Sequence, residues 1–326
     1  MPECFVVQPI HQAGIDALEA AGITVRRASA QDMETVAREI GNADAVITRD
    51  AGLNAAAMDA APGLKLISNH GIGINKIDVA HATALDIPIS FTPTANAISV
   101  AEHALMLMLV CAKRAVEADA AARKGDFRFK FSGGMIELSG KVLGIAGLGT
   151  IGRHLARMAK AAFGMRVVVW SPSADPALVA QVGERVESLD ALLAVADVLS
   201  LHRPARPDTR DMINAATLAA MKPGAILINT ARGALIDEAA LAEALKANRI
   251  RAAGLDVFEP EPIDPATSPL VGLPNIVLAP HVAGSTEDAL KATALACAEH
   301  VIAALKGEKP SDLVDPAIWD RRRLAA

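Results

Sequence analysis

The sequence predicts an α/β protein of two doubly wound parallel-sheet domains, one inserted into the other. Short apolar runs alternate with Ala-rich helical stretches along the chain, the pattern of parallel layers. The length of 326 residues is about two domains' worth. In mid-chain, a strand–glycine–helix segment at Val142–Gly152 opens a second α/β series.

In the first third the expected strands are Cys4–Gln8, Ala45–Thr48, Lys65–Asn69 and Ile89–Thr92, with a weaker one at Thr24–Arg26. Helical stretches such as His11–Ala21 and Ala80–Leu85 lie between them. From Ile98 to about Arg123 the chain reads as one long helix, apolar on nearly all sides, which belongs inside a junction or a subunit interface. Six strands follow, at Val142–Ala146, Arg166–Trp170, Val198–His202, Ala225–Asn229, Ala253–Val257 and Ile276–Ala279. The chain then turns helical over Glu287–Lys306 and ends in a polar, Pro-containing tail. The expected division is therefore a discontinuous first domain, 1–97 with 287–326, and a second domain, 98–286.

Composition removes several function classes. Apolar residues make up 52% of the chain, and 32 basic residues against 37 acidic leave a net charge of −5. That balance lacks the basic face of a nucleic-acid binder. The basic triplet Arg321–Arg323 reads as a solvated tail. No apolar stretch is long enough to span a bilayer, and the N-terminus lacks the pattern of a secretory signal. Cys4, Cys111 and Cys297 are too scattered for a disulfide framework or a metal site, so a cytoplasmic protein without a metal is expected.

The segment VLGIAGLGTIG carries the first chemistry. A buried strand runs into Gly147-x-Gly149-x-x-Gly152 and a helix follows. Gly147 permits the tight turn, Gly149 lets a pyrophosphate approach the backbone, and Gly152 lets helix and strand pack closely. The helix start, with Thr150 and Ile151, offers unpaired N–H groups and a positive dipole end. A dinucleotide site is expected here. About 20 residues on, NAD-binding chains place an acid on the ribose hydroxyls, whereas this strand ends in Ser171-Pro172-Ser173. Without that carboxylate a 2′-phosphate is tolerated. Ser171 and Ser173 could bond it, and Arg203 or Arg206 could supply charge. Alternatively, Ser171 contacts a ribose hydroxyl. The cofactor is NAD or NADP, with a lean towards NADP.

Three further segments follow strand ends, on the side where such sheets bind ligands: Asn229–Gly233, Asp256–Pro262 and Ala279–Gly284. Arg232 offers a fork that fits a carboxylate, and His281 is a proton donor suited to neutral pH. A neighbouring carboxylate such as Glu261 would orient the ring. Spacing alone leaves open whether these three side chains meet.

With these motifs in place the chain resembles the D-isomer-specific 2-hydroxyacid dehydrogenases, a family that includes phosphoglycerate dehydrogenases and glyoxylate/hydroxypyruvate reductases. The resemblance runs from about Lys65 to Thr286. It rests on Gly71-Ile72-Gly73 with Asn75 to Asp78, on Asn96 to Glu102, and on the glycine turn. Downstream it takes in Met221 to Gly224, Asn229 to Gly233, Leu255 to Phe258 with Glu261, and Pro280-His281. It implies a Rossmann-type cofactor domain inserted in a flavodoxin-like substrate domain, with hinges near Thr92–Asn96 and Gly284–Glu287. It also implies a homodimer, into whose interface the Ile98 helix fits. By resemblance, Arg232 binds the substrate carboxylate together with backbone N–H groups at Ile72 and Gly73. His281 is the acid–base residue and Glu261 its partner. Thr230 and Ala231 would lie beside the nicotinamide, Asp256 would contact its carboxamide, and His202 with Pro204 would lie beside the adenine. Since no basic cluster surrounds Gly71 or Arg232, the expected substrate is a small unphosphorylated 2-oxo acid or its D-2-hydroxy acid. A non-enzymatic NAD(H)-sensing corepressor on the same fold is the alternative.

Overall fold

A computed structural model describes residues 1–323. Its strands in chain order are β1 Glu3–Val6, β2 Thr24–Arg27, β3 Ala45–Thr48, β4 Leu66–Asn69, β5 Ile89–Ser90, β6 Val142–Ala146, β7 Arg166–Trp170, β8 Glu184–Arg185, β9 Val198–Leu201, β10 Ile226–Asn229, β11 Ala252–Leu255 and β12 Ile276–Leu278. They form two parallel sheets, ordered β2-β1-β3-β4-β5 and β12-β11-β10-β9-β6-β7-β8. The chain divides accordingly into two compact units. One comprises Met1–Asn96 and the chain from Ser285 onward; the other is Ala97–Gly284.

In the first unit, β3 and β4 are buried at every position, as strands covered on both faces must be. One face carries the core around Val36, Met58 and Ala82; the other carries Leu18, Cys297, Val301 and Trp319. The helix Glu287–Leu305 belongs to this unit because it packs on the helix Gln12–Ala20. A Cβ on Gly14 would lie 2.7 Å from the carbonyl oxygen of Ala294, so only glycine fits at that crossing.

The second unit also has a core on each face of its sheet. Leu192, Leu218 and Leu241 build one, and Leu107, Met108 and Leu155 the other. Strand order reverses between β9 and β6, so the turn after β6 lies at the topological switch point where such sheets bind ligands. All three cysteines are buried as free thiols. Among the described residues, no helix is long and apolar enough to cross a membrane.

Four expectations need correction. The second sheet has seven strands rather than six. The added β8 is a two-residue edge strand of exposed Glu184 and Arg185 with no apolar signal. The long helix from Ile98 is two, Ala97–Lys113 and Ala115–Arg123. Between them Arg114 takes a left-handed conformation (φ 51°), while its guanidinium bonds Glu117, Ser132 and the carbonyl of Gly133. The polar tail contains a short helix, Ile318–Arg321, whose Ile318 and Trp319 are buried. Finally, the basic triplet is tied down. Arg321 pairs with Asp86, Arg322 lies over the Trp319 ring, and Arg323 donates to the carbonyl of Pro62.

Candidate active site

The register of the second sheet aligns the ends of its adjacent strands: Asn229 lies beside Leu255, and Leu255 beside Leu278. The loops that leave β10, β11 and β12 therefore start side by side, and they carry Arg232, Glu261 and His281.

After β10 the chain is braced by Asn229. Its side chain accepts from Ala231 N–H at 2.9 Å and donates to the carbonyl of Arg232 at 2.8 Å. This closes the turn locally, as Asn does best. Thr230 lies within it, buried, its Oγ1 without a hydrogen-bond partner among the described residues. Gly233 follows at a point of near contact. A Cβ there would fall 2.0 Å from the carbonyl carbon of Phe258, so the β11 loop rests directly on this glycine.

The β11 loop begins with Asp256, fully buried. Its two carboxylate oxygens accept from the N–H groups of Val282 and Ala283, each at 2.8 Å. His103 Nε2 lies 3.5 Å from the same carboxylate, and Ser99 Oγ donates to the carbonyl of Ala283 at 2.6 Å. His281, immediately before these amides, has φ 53°. That conformation is uncommon for a side-chain-bearing residue and costs about 1–3 kcal/mol. Successive N–H groups converging on one anion favour it, and Asp256 supplies the anion.

Glu261 completes the arrangement. One oxygen accepts from Phe258 N–H at 2.9 Å, and the other lies 2.8 Å from His281 Nδ1. Burial opposes ionisation of Glu261. The hydrogen bonds from His281 and Phe258, with the charges of His281 and Arg232, outweigh it and hold the carboxyl below its ordinary range. An ionised Glu261 assigns the Nδ1 proton to His281. The arrangement thus sets an imidazole on an ionised carboxylate beside the charge of Arg232, the kinds of group that acid–base chemistry uses.

The glycine turn follows β6. Gly147 has φ 99°, and a Cβ on it would lie 2.6 Å from the carbonyl of His202. A Cβ on Gly152 would meet the carbonyl of Gly147 at 2.8 Å, while the space beside Gly149 is open. Most helices here begin with a side-chain cap, but Thr150–Phe163 begins at Gly149 without one. Its first amides, at Thr150, Ile151 and Gly152, therefore suit a pyrophosphate. The dinucleotide fits this turn.

At the end of β7, Ser171 is buried with its Oγ accepting from Leu148 N–H at 3.1 Å, whereas Ser173 is exposed. Asp175, the first acid after that strand, accepts from Ala177 N–H at the start of its own helix. Arg203 lies over the Trp170 ring at 5.0 Å, and Thr209 bonds the carbonyl of Pro204. Burial lowers the His202 pKa to about 4, which keeps the ring neutral; its Nε2 lies 2.9 Å from Ser200 Oγ.

Ile72 and Gly73 belong to the first unit. Asn69 donates to the carbonyls of Gly71 and Gly73, and the amides of Ile72 and Gly73 make no hydrogen bond among the described residues. Sequence reasoning assigned no role to Ser99, His103 or Glu238, whose contacts reach across the fold and leave no local pattern. Asn229 had a signal, an Asn between a strand and a turn.

Over residues 105–283 the chain matches the family described as D-isomer specific 2-hydroxyacid dehydrogenase, NAD binding domain. It is 42% identical over 295 residues to the D-3-phosphoglycerate dehydrogenase of Mycobacterium tuberculosis, covering 90% of this chain but only 55% of that one. With the glyoxylate reductase of Aeropyrum pernix it shares 40% identity over 261 residues, 78% of this chain and 77% of the relative. A solved structure of the NADPH-dependent glyoxylate/hydroxypyruvate reductase of Sinorhizobium meliloti, in complex with NADP and malonate, matches with a TM-score of 0.87. The identity is 28%, over 100% of this chain and 99% of that chain.

The contact at Gly233 yields a direct test. Gly233→Ala puts a methyl into the backbone at Phe258 and Glu259, so unfolding free energy should fall by about 1–3 kcal/mol. Urea denaturation measures this, and an unchanged midpoint and slope would refute the close approach.

Proposed function

The chain belongs to the D-isomer specific 2-hydroxyacid dehydrogenase family, and from that membership we propose that it reduces a small 2-oxo acid to its D-2-hydroxy acid with NAD(P)H. The observation that carries the proposal is the His281–Glu261 contact of 2.8 Å, beside the charge of Arg232. Glyoxylate and hydroxypyruvate are the proposed substrates, in keeping with the names of two of the relatives.

In this reading Arg232 pairs with the substrate carboxylate, and Ile72 and Gly73 keep the carboxylate-binding role that the family resemblance implies. A reduced nicotinamide, when bound, supplies the hydride to C2. Thr230, Ala231 and Asp256 lie on its side of the site, and His202 with Pro204 on the adenine side. Imidazolium His281 gives its Nε2 proton to the C2 oxygen as charge builds there. Arg232 and His281 then stabilise the transition state more than the ground state. Glu261 keeps the ring oriented and favours its charged form. Reduction therefore weakens as pH rises and His281 loses its proton; oxidation needs the neutral ring and strengthens.

The cofactor proposed is NADP(H). No carboxylate ends β7: Ser171 is turned onto the glycine turn, Asp175 caps its own helix, and Arg203 lies on Trp170 near this edge. The Sinorhizobium meliloti relative is likewise described as NADPH-dependent. A homodimer is proposed on the exposed apolar residues of the helical stretch after Asn96. They are Ile98, Met106 and Val116, followed by Phe127 and Phe131, which are 75% and 79% exposed. Exposed apolar surface that is contiguous marks an interaction site, and the proposal is that association of two copies covers these five side chains.

Three measurements test these proposals. Oxidation of NADPH should be rapid with glyoxylate or hydroxypyruvate, and His281→Ala should lose about 10²-fold or more in kcat while still binding NADPH. Cofactor binding with no turnover on any 2-oxo acid would instead favour the sensing module. Ser171→Asp should lower kcat/KM for NADPH at least about tenfold relative to NADH, about 1.4 kcal/mol; an unchanged ratio would remove the NADP assignment. Sedimentation equilibrium should give twice the chain mass, and replacing both Phe127 and Phe131 with Ser should weaken self-association. A wild-type monomer at micromolar concentration would contradict the dimer.

A further inference from the structure

We propose that Glu238 is a positioning residue for the reaction assigned above: its carboxylate fixes the Phe258–Pro262 loop so that Glu261 meets His281. The inference rests on that functional reading. It starts from a scarcity of donors. Two of the loop's five residues, Pro260 and Pro262, have no N–H, so no regular ladder can hold it. Phe258 N–H is taken by Glu261 itself. Glu259 N–H is the next donor along the chain, and it goes to Glu238 Oε1 at 3.0 Å.

Glu238 is not the capping side chain of its own helix. It is the first residue of the helix Glu238–Lys246, whose cap is Asp237, accepting from Ala240 N–H. Its surroundings are also unfavourable for a carboxylate. Burial and the charge of Glu259 push its pKa up, and the hydrogen bond from Glu259 N–H offsets this only in part. Its place in the first turn of a helix favours the negative charge, but burial and Glu259 oppose it, and the bond from Glu259 N–H is the hydrogen bond that this carboxylate accepts.

The loop is held on two further sides. Gly233 lies under Phe258 and Glu259, and an Arg210 nitrogen is 3.9 Å from the Glu259 carboxylate. Glu238 supplies the remaining restraint, two residues before Glu261. Without it the loop can lift from Gly233, and Glu261 then turns away from Nδ1 of His281. A displacement of about 1 Å at such a site can cost about 10²-fold in rate.

The test compares three substitutions by turnover and by amide exchange. Glu238→Gln keeps an acceptor oxygen at the same reach without the charge. Glu238→Asp keeps the charge but withdraws it by one methylene, and Glu238→Ala removes both. The Gln variant should keep kcat within about threefold of wild type. The Asp and Ala variants should lose about tenfold or more in kcat with little change in NADPH affinity. In these two alone, hydrogen–deuterium exchange should quicken over residues 258–262. Wild-type kcat and exchange in Glu238→Ala would overturn the proposal, and so would a Gln variant as impaired as Ala. If the Ala variant does not fold, the Gln–Asp pair decides. Exchange reads the loop whether or not the wild-type chain turns over a 2-oxo acid, so failure of the functional reading stays distinguishable from failure of this one.

Discussion

A carboxylate with no access to water must find its donors inside the protein, and the site of the second unit is arranged around that requirement at Asp256. Its donors are the amides of Val282 and Ala283, from the loop after the neighbouring strand. The bonds fix where that loop lies and which backbone conformation His281 adopts. A neutral side chain at 256 would accept fewer donors and would leave a buried N–H unmatched, at a cost of about 1–3 kcal/mol. The position of the imidazole is thus set by a group that precedes it by 25 residues and belongs to a different loop.

The other two loops follow the same logic. Parallel strands whose ends are in register bring three irregular segments to one edge of the sheet, where the ladder that ordered them stops. Each segment is then held by side chains accepting backbone N–H groups: Asn229 after β10, Glu261 and Glu238 after β11, Asp256 after β12. The same groups set the electrostatics. Glu261 is held low in pKa by His281, by Phe258 N–H and by Arg232. By linkage, an ionised Glu261 favours the charged imidazole. The contact that orients the ring is thus also one of those that set the charge of Glu261.

Much of the sheet framework was legible because strands buried on both faces leave continuous apolar runs. Strands β3, β6 and β7 fall where the runs place them. Strand β8 was not legible: Glu184 and Arg185 look like loop residues and become a strand only by pairing with Val168 and Val169. The break at Arg114 carries no Gly or Pro, since contacts with Glu117 and the 132–133 turn hold it. In the tail, Ile318 and Trp319 are too few to show a period, yet both enter the core of the first unit. In the site, the strand-end positions of Arg232 and His281 and the glycine spacing could be read directly. The pairing of His281 with Glu261 came from resemblance, since separation along the chain does not dictate contact. The braces at Ser99 and Glu238 act between a side chain and distant backbone, and His103 lies against the distant Asp256 carboxylate; no local period records such contacts.

The remaining unmatched groups are informative about where a ligand belongs. Folded chains leave few buried polar atoms without partners, and each departure calls for a cause. In the second unit Thr230 Oγ1 and Arg203 Nε are two such atoms, and both residues follow the C-terminal end of a strand of the same sheet. The helix Thr150–Phe163 starts at this edge without a side-chain cap, whereas Asp175, Ser188, Asn214 and Asp237 cap other helices of the unit. Packing does not explain the missing cap, because the space beside Gly149 would admit a Cβ. A serine or aspartate there would satisfy the amides of the first turn and compete with any anion for them. Glycine at this position leaves those amides to a ligand, which is the arrangement a pyrophosphate requires.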